Sequence, residues 1–202
     1  MNGNFYASLD RVARARGTAP CWIVPGRGAW TYADLRAQVA GQARALHAAG
    51  VQPGDRVLVQ AEKSPEVLLL YLACLHAGAV FLPLNTAYTE AELRYFALDS
   101  QPRLLVCDPA RAARLATVAQ ACGAQLVTLD AAGGGSWMQA VAAAGAPGVD
   151  PTAPGGAAVA SAAAGAGADD DHDAPIRRAA DDLAAIVYTS GTTGRSKGAM
   201  LT

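Results

Sequence analysis

A chain of 202 residues, with 16 Lys and Arg against 17 Asp and Glu and a formal charge of −1, has room for one domain or a little more around a sizeable core. That near-neutral balance argues against nucleic acid or an anionic membrane as the main partner, because both call for a basic face. Cys21, Cys74, Cys107 and Cys122 stand far apart with no C-x-x-C pair, which points to reduced, mostly buried thiols rather than a zinc site or a disulfide scaffold. Taken in order, residues 1–20 offer a short amphipathic helix with Phe5, Leu9 and Val12 on one face, and no apolar stretch of a secretory signal. Cys21 to Val24 is strand-like and Pro25 to Gly28 a turn. Thr31 caps a helix with Asp34 at the capping-box position; Leu35, Val39 and Leu46 form its apolar stripe, and Gly50 ends it. Pro53-Gly54-Asp55 turns into a strand, Arg56 to Val59. Ser64-Pro65-Glu66 supplies a cap, a proline at the first helical position and an acid in the first turn, so a helix runs to His76 and stops at Gly78. Ala79 to Leu84 is a strand, and Thr89-Glu90-Ala91-Glu92 a second capping box that leads a helix through Leu98. Leu104 to Cys107 is a strand, Pro109 to Cys122 a helix, and Leu126 to Leu129 a strand. Strands alternating with helices predict an α/β fold of βαβ units with a largely parallel sheet.

Two stretches break the rhythm. Val67 to Leu84 runs eighteen positions without a formal charge, but it holds His76, Gly78 and Pro83 and changes pattern halfway. It reads as a buried helix followed by a buried strand, not as a membrane span. Residues 131–175 are rich in Ala, Gly and Pro and carry an acidic knot, Asp169-Asp170-Asp171-His172-Asp173. Trp137, Met138 and Val141 suit one short helix there, and the remainder reads as a partly disordered insertion. The knot is read as a solvated acidic run rather than a metal site. His47 near a helix end and His76 inside an apolar helix are read as structural.

The stretch with chemistry comes last. An apolar, β-prone run from Ala184 to Tyr188 feeds Thr189-Ser190-Gly191-Thr192-Thr193-Gly194-Arg195-Ser196-Lys197-Gly198. Glycines let a ligand approach the main chain, and successive exposed N–H groups in such a turn form an anion-binding concavity. Hydroxyls add neutral donors and the lysine a compact positive charge. This is the chemistry of a triphosphate cradle. It is not the G-x-x-x-x-G-K-[ST] loop, because two residues separate Gly194 from Lys197. A flexible Ser/Thr/Gly surface loop is the bland alternative, and a strand leading straight into the loop with a lysine at its far end fits it poorly.

The run from Tyr188 to Gly198 resembles the signature loop of the acyl-adenylate-forming (AMP-binding) enzymes, whose pattern is roughly Y-T-S-G-T-T-G-x-P-K-G; here Ser196 stands where proline is commoner. Thr31 to Leu35, Gly54 to Val57 and Leu75 to Asn85 resemble three further elements of the same family, so the likeness covers nearly the whole chain. It implies the first part of that family's large N-terminal domain, with residues 1–202 an incomplete domain and 131–175 an insertion within it. By position it gives Thr189, Ser190, Gly191, Thr192, Thr193, Gly194 and Lys197 the task of holding the β- and γ-phosphates of ATP. Asn85 to Thr89, the run ending at Pro109, and Gly194 to Leu201 are most similar to malonyl-CoA synthetases.

What the resemblance implies for function is an ATP-dependent acyl-CoA synthetase, taking a small carboxylate, ATP with Mg2+, and coenzyme A. Relatives carry the magnesium-holding glutamate, the acyl pocket and the adenylation lysine beyond the position of Thr202. No residue here is therefore assigned catalysis or metal binding, and this chain alone is expected to be an inactive N-terminal fragment of a cytoplasmic enzyme. Malonate is the favoured acid, with another short-chain or aromatic carboxylate as the alternative. A non-catalytic ATP-binding module and a phosphotransferase with an unusual loop are the readings from other classes.

Overall fold

The computed structural model describes residues 2–25, 27–145, 174–189 and 196–202. The chain opens with α1 (Phe5–Arg16) and a two-stranded antiparallel ribbon, β1 (Pro20–Val24) and β2 (Gly28–Thr31). Then come α2 (Tyr32–Ala48), β3 (Arg56–Gln60), α3 (Pro65–His76), β4 (Val80–Pro83), α4 (Glu90–Ser100) and β5 (Leu104–Cys107). A single 3-10 turn, Pro109–Arg111, precedes α5 (Ala112–Cys122), which is followed by β6 (Gln125–Thr128), α6 (Ser136–Ala143), β7 (Ala185–Thr189) and β8 (Lys197–Leu201). The six-stranded sheet has the order β6-β5-β3-β4-β7-β8, parallel except for the antiparallel β8. The expected α/β fold with a largely parallel sheet is what the chain forms.

The central strands sort their side chains by parity, as a pleated strand must. Val57, Val59, Leu104 and Val106 enter one apolar cluster with Leu46 of α2 and Leu69 and Leu70 of α3. Leu58, Leu105 and Cys107 enter a second with Leu93 and Phe96 of α4 and Leu115 and Val118 of α5. Helices thus cover both faces of the sheet, and its central strands read as unbroken apolar runs for that reason. The helix starts follow the sequence closely. Thr31 and Thr89 each accept a backbone N–H three residues on while Asp34 and Glu92 reach back, two complete capping boxes. Ser64 caps α3 ahead of Pro65. Val67 to Leu84 is a helix followed by a strand, and among the described residues no helix is long and apolar enough to cross a membrane.

Four expectations need correction. The buried face of α1 is Tyr6, Asp10 and Ala13, while Phe5 and Val12 are 64% and 43% exposed. Apolarity alone misplaces the face, because Asp10 is held inside by Arg36 and Arg14, each donating through Nε at 2.7 Å, and Tyr6 lies against the His76 ring. The segment from Pro109 begins as a 3-10 turn capped by Asp108, and the α-helix starts only at Ala112. Gly28 to Thr31 is a strand, which the capping box beginning at Thr31 conceals. Lys197 to Leu201 is also a strand, although lysine and glycine are poor strand formers.

The start of the Ala/Gly/Pro-rich stretch is part of the core. Asp130 Oδ1 accepts the N–H groups of Ala132 (2.9 Å) and Gly134 (2.7 Å), and the turn ends at Gly135, with φ +112°. A Cβ there would lie 2.3 Å from the Thr128 carbonyl oxygen, so only glycine lets α6 start this close to β6. Trp137 is fully buried and donates its indole N–H to Gln42 Oε1 (2.9 Å), itself buried in α2. Residues 146–173, including the acidic knot, lie outside the described residues.

After that stretch the chain is strapped back across the end of α3. Asn4 donates through Nδ2 to the carbonyls of Leu75 (2.7 Å) and Ile176 (2.8 Å), and Ile176 N–H donates to the His76 carbonyl (2.9 Å). This delivers Ala184 beside Phe81, where β7 joins the sheet. The four cysteines are free thiols; burial pushes Cys74 up and Cys107 up to about 11, which keeps both unreactive near neutral pH.

Two outcomes are expected. Trp137→Ala removes a fully buried indole and orphans Gln42, and should cost about 3–5 kcal/mol in urea unfolding; a loss below about 1 kcal/mol would mean that α6 is not core. Burial tends to raise the Asp10 carboxyl, but the hydrogen bonds from Arg36 and Arg14 outweigh it and hold the group below the usual carboxylate range. Its stabilisation is therefore present above about pH 4, the unfolded value, and lost as pH falls through the lower folded value. Asp10→Asn should flatten the stability-versus-pH curve in that acid window, measured by urea midpoints from pH 5 downward.

Candidate functional site

In a parallel sheet covered on both faces, ligands gather at the carboxyl edge of the strands, where neighbouring strands send their chains to opposite faces. Here β3 leads into α3 in one layer and its neighbour β4 leads into α4 in the other. Between them opens a cleft of about 590 Å³, lined by Glu62 and Lys63 after β3 and by Leu84, Asn85 and Thr86 after β4. Gln60, at the end of β3, is fully buried and donates through Nε2 to the carbonyls of Asn85 (3.0 Å) and Tyr88 (3.2 Å), which fixes the rim on the β4 side. Leu84, Asn85 and Thr86 fall in stretches that the family resemblance marks, whereas Gln60, Glu62 and Lys63 were not singled out from the sequence. The signal that marks them is positional: they follow two adjacent parallel strands whose crossovers diverge.

The next strand along this edge is β7. It ends at Thr189, and the chain returns as β8 from Lys197 with an unbroken antiparallel register, Tyr188↔Gly198 and Thr189↔Lys197 among its pairs. Of the residues expected to hold phosphate, Thr189 and Lys197 are brought together as exposed cross-strand partners at the carboxyl edge. Ser190, Gly191, Thr192, Thr193 and Gly194 lie outside the described residues. The pairing places a neutral donor and a cation side by side where the loop begins and ends.

Both ends of this hairpin lean on α4. The Tyr188 hydroxyl donates to Asp99 Oδ2 (2.5 Å), and its ring lies 4.4 Å from that of Phe96 and 6.5 Å from that of Tyr95. The Tyr95 hydroxyl donates to the Ser196 carbonyl (3.1 Å). Burial, and then the hydrogen bond to Asp99, push the Tyr188 hydroxyl well above the usual phenol value, so it remains a donor across neutral pH. Gly198 faces this cluster: a Cβ on it would fall 2.8 Å from the Ile186 Cγ2 methyl. Among the described residues no group of three His, Cys, Asp or Glu side chains gathers as a metal site.

Comparison with known proteins gives a consistent result. Residues 9–202 match the family model for AMP-binding enzyme. The chain is 34% identical over 192 residues to a feruloyl-CoA synthase from an Amycolatopsis species, covering 95% of this chain and 32% of that protein. ATP-bound MatB from Rhodopseudomonas palustris superimposes with a TM-score of 0.81 at 42% identity, covering all of this chain and 35% of the other. A benzoate CoA ligase from Burkholderia xenovorans LB400 shares the fold, with a TM-score of 0.69 at 24% identity over 98% of this chain and 34% of the other. The chain thus spans about a third of the length of these relatives.

The close approach at Gly198 gives a test of the hairpin. Gly198→Val should push β8 off β7, so that amides of Ile186 to Tyr188 lose hydrogen-exchange protection while those of Val57 to Val59 keep theirs. Equal protection in both sets would show that the contact carries no constraint.

Proposed function

The chain belongs to the AMP-binding enzyme family, and from that premise we propose that it is the loop-bearing N-terminal part of an ATP-dependent acyl-CoA synthetase. The observation that carries the reading is the junction of β7 and β8. A strand at the carboxyl edge of a parallel sheet runs into a Ser/Thr/Gly loop, and Thr189 and Lys197 face each other across its base. Lys197 supplies a positive charge and Thr189 a hydroxyl donor toward the β- and γ-phosphates of ATP. The sequence from Ser190 to Gly194 contributes the remaining hydroxyls and the small residues that permit close approach.

The reaction proposed for the whole protein has two displacements. A carboxylate oxygen attacks the α-phosphorus of ATP, the bond to the β-phosphate oxygen breaks, and pyrophosphate leaves with the electron pair. The thiolate of coenzyme A then attacks the acyl carbonyl and expels AMP, leaving the thioester. Residues of this chain act in the first step by holding the departing phosphates, where negative charge accumulates. Magnesium, when bound, adds charge neutralisation on those phosphates.

Malonate is the acid we favour. The likeness of Asn85 to Thr89 and Gly194 to Leu201 to malonyl-CoA synthetases supports it, as does the 42% identity to MatB across the whole chain. The 34% identity to a feruloyl-CoA synthase keeps an aromatic acid as the second reading. AMP release by the full-length protein with malonate, ferulate and benzoate separates them, and release with none would favour a non-catalytic ATP-binding module.

Lys197 is the residue to test. A hydrogen bond to a charged oxygen is worth about 1.5–3 kcal/mol, so Lys197→Ala in the full-length protein should slow carboxylate-dependent pyrophosphate exchange about 10- to 100-fold. Unchanged exchange would remove the loop from the reaction.

A further inference from the structure

Tyr95 and Asp99 lie four residues apart on α4 and so share one face of the helix. One accepts from Tyr188, the residue before Thr189, and the other donates to Ser196, the residue before Lys197. The same helical turn therefore grips the chain one position ahead of each of the two phosphate-facing residues that the structure describes. Resting on the function proposed above, we propose that Tyr95 is a positioning residue for Lys197, and that α4 sets the affinity of the site for the phosphates of ATP.

The physical basis is the geometry of a peptide unit. The Ser196 carbonyl and the Lys197 N–H belong to one rigid plane, so a hydrogen bond to that carbonyl fixes the direction in which the chain enters Lys197. Across the ribbon, the Tyr188 hydroxyl is tied to Asp99 and its ring to Phe96, so the partner strand cannot slide to follow a shift in β8. Phe96 is 1% exposed and Asp99 is on the same helix, so both anchors share the rigidity of the packed layer below them. The effect should fall on ATP alone.

The test is Tyr95→Phe in the full-length protein, which keeps the ring and deletes only the hydroxyl. Loss of one neutral hydrogen bond should raise KM for ATP about 3- to 10-fold. KM for the carboxylic acid at saturating ATP should stay within about twofold, as should the second half-reaction started from preformed acyl-adenylate. Leu98→Ala, an exposed residue of the same helix that lies outside the site, should leave all three unchanged. An unchanged KM for ATP in Tyr95→Phe, with Lys197→Ala still impaired, would overturn the positioning role and leave the proposed function standing. A parallel rise in KM for ATP and for the acid, or a variant that fails to fold, would overturn it in favour of a purely structural bond. If Lys197→Ala itself proves silent, the functional reading fails and this inference falls with it.

Discussion

The constraint on which the rest depends is that β3, β4 and β5 are buried on both faces. A parallel strand with apolar residues at every position cannot leave either face in water, so helices must be laid on each side. Val57 and Val59 take α2 and α3 for partners, while Leu58 takes α4 and α5. Because β3 and β4 send their chains to opposite layers, a gap opens at the carboxyl edge between them. The cleft rimmed by Lys63, Asn85 and Thr86, and the hairpin root beside it, follow from that division of the core.

Buried polar groups fix how the layers are joined. Gln42, Trp137, Glu66 and Arg27 form one connected set: the indole donates to Gln42, Gln42 to the Glu66 carbonyl (3.3 Å), and Arg27 both pairs with the Glu66 carboxylate and donates to the Ala132 carbonyl (2.7 Å). Four elements far apart in sequence meet there. Apolar contacts alone tolerate sliding; a buried donor without its acceptor costs about 1–3 kcal/mol, which ties each element to one position. Asn4 does the same at the opposite end of α3, holding the N-terminus and the segment around Ile176 to one helix terminus.

The layer formed by α4 and α5 has a second task. It carries an aromatic cluster, Tyr88, Tyr95, Phe96 and Tyr188, that joins the helix to β7. Its rings and two hydroxyl hydrogen bonds, one to the Asp99 carboxylate and one to the Ser196 carbonyl, fix the chain on either side of Thr189 and Lys197.

Much of this was legible in the residues. Capping chemistry is local, so Thr31, Ser64 and Thr89 mark helix starts that the fold keeps. Apolar runs between turns mark the strands, and the loop after Tyr188 declares its chemistry through residue types alone. What only the tertiary structure decided concerns partners distant in sequence. Asp10 is buried because Arg36 reaches it from another helix, and Trp137 is core because Gln42 waits for it 95 positions earlier. Lys197 to Leu201 is a strand because β7 offers an open edge, against the weak preference of its own residues. Local chemistry determined where elements begin and which hydroxyl, glycine and lysine groups the stretch after Tyr188 offers; pairing across the fold decided which faces are buried and what holds Thr189 opposite Lys197.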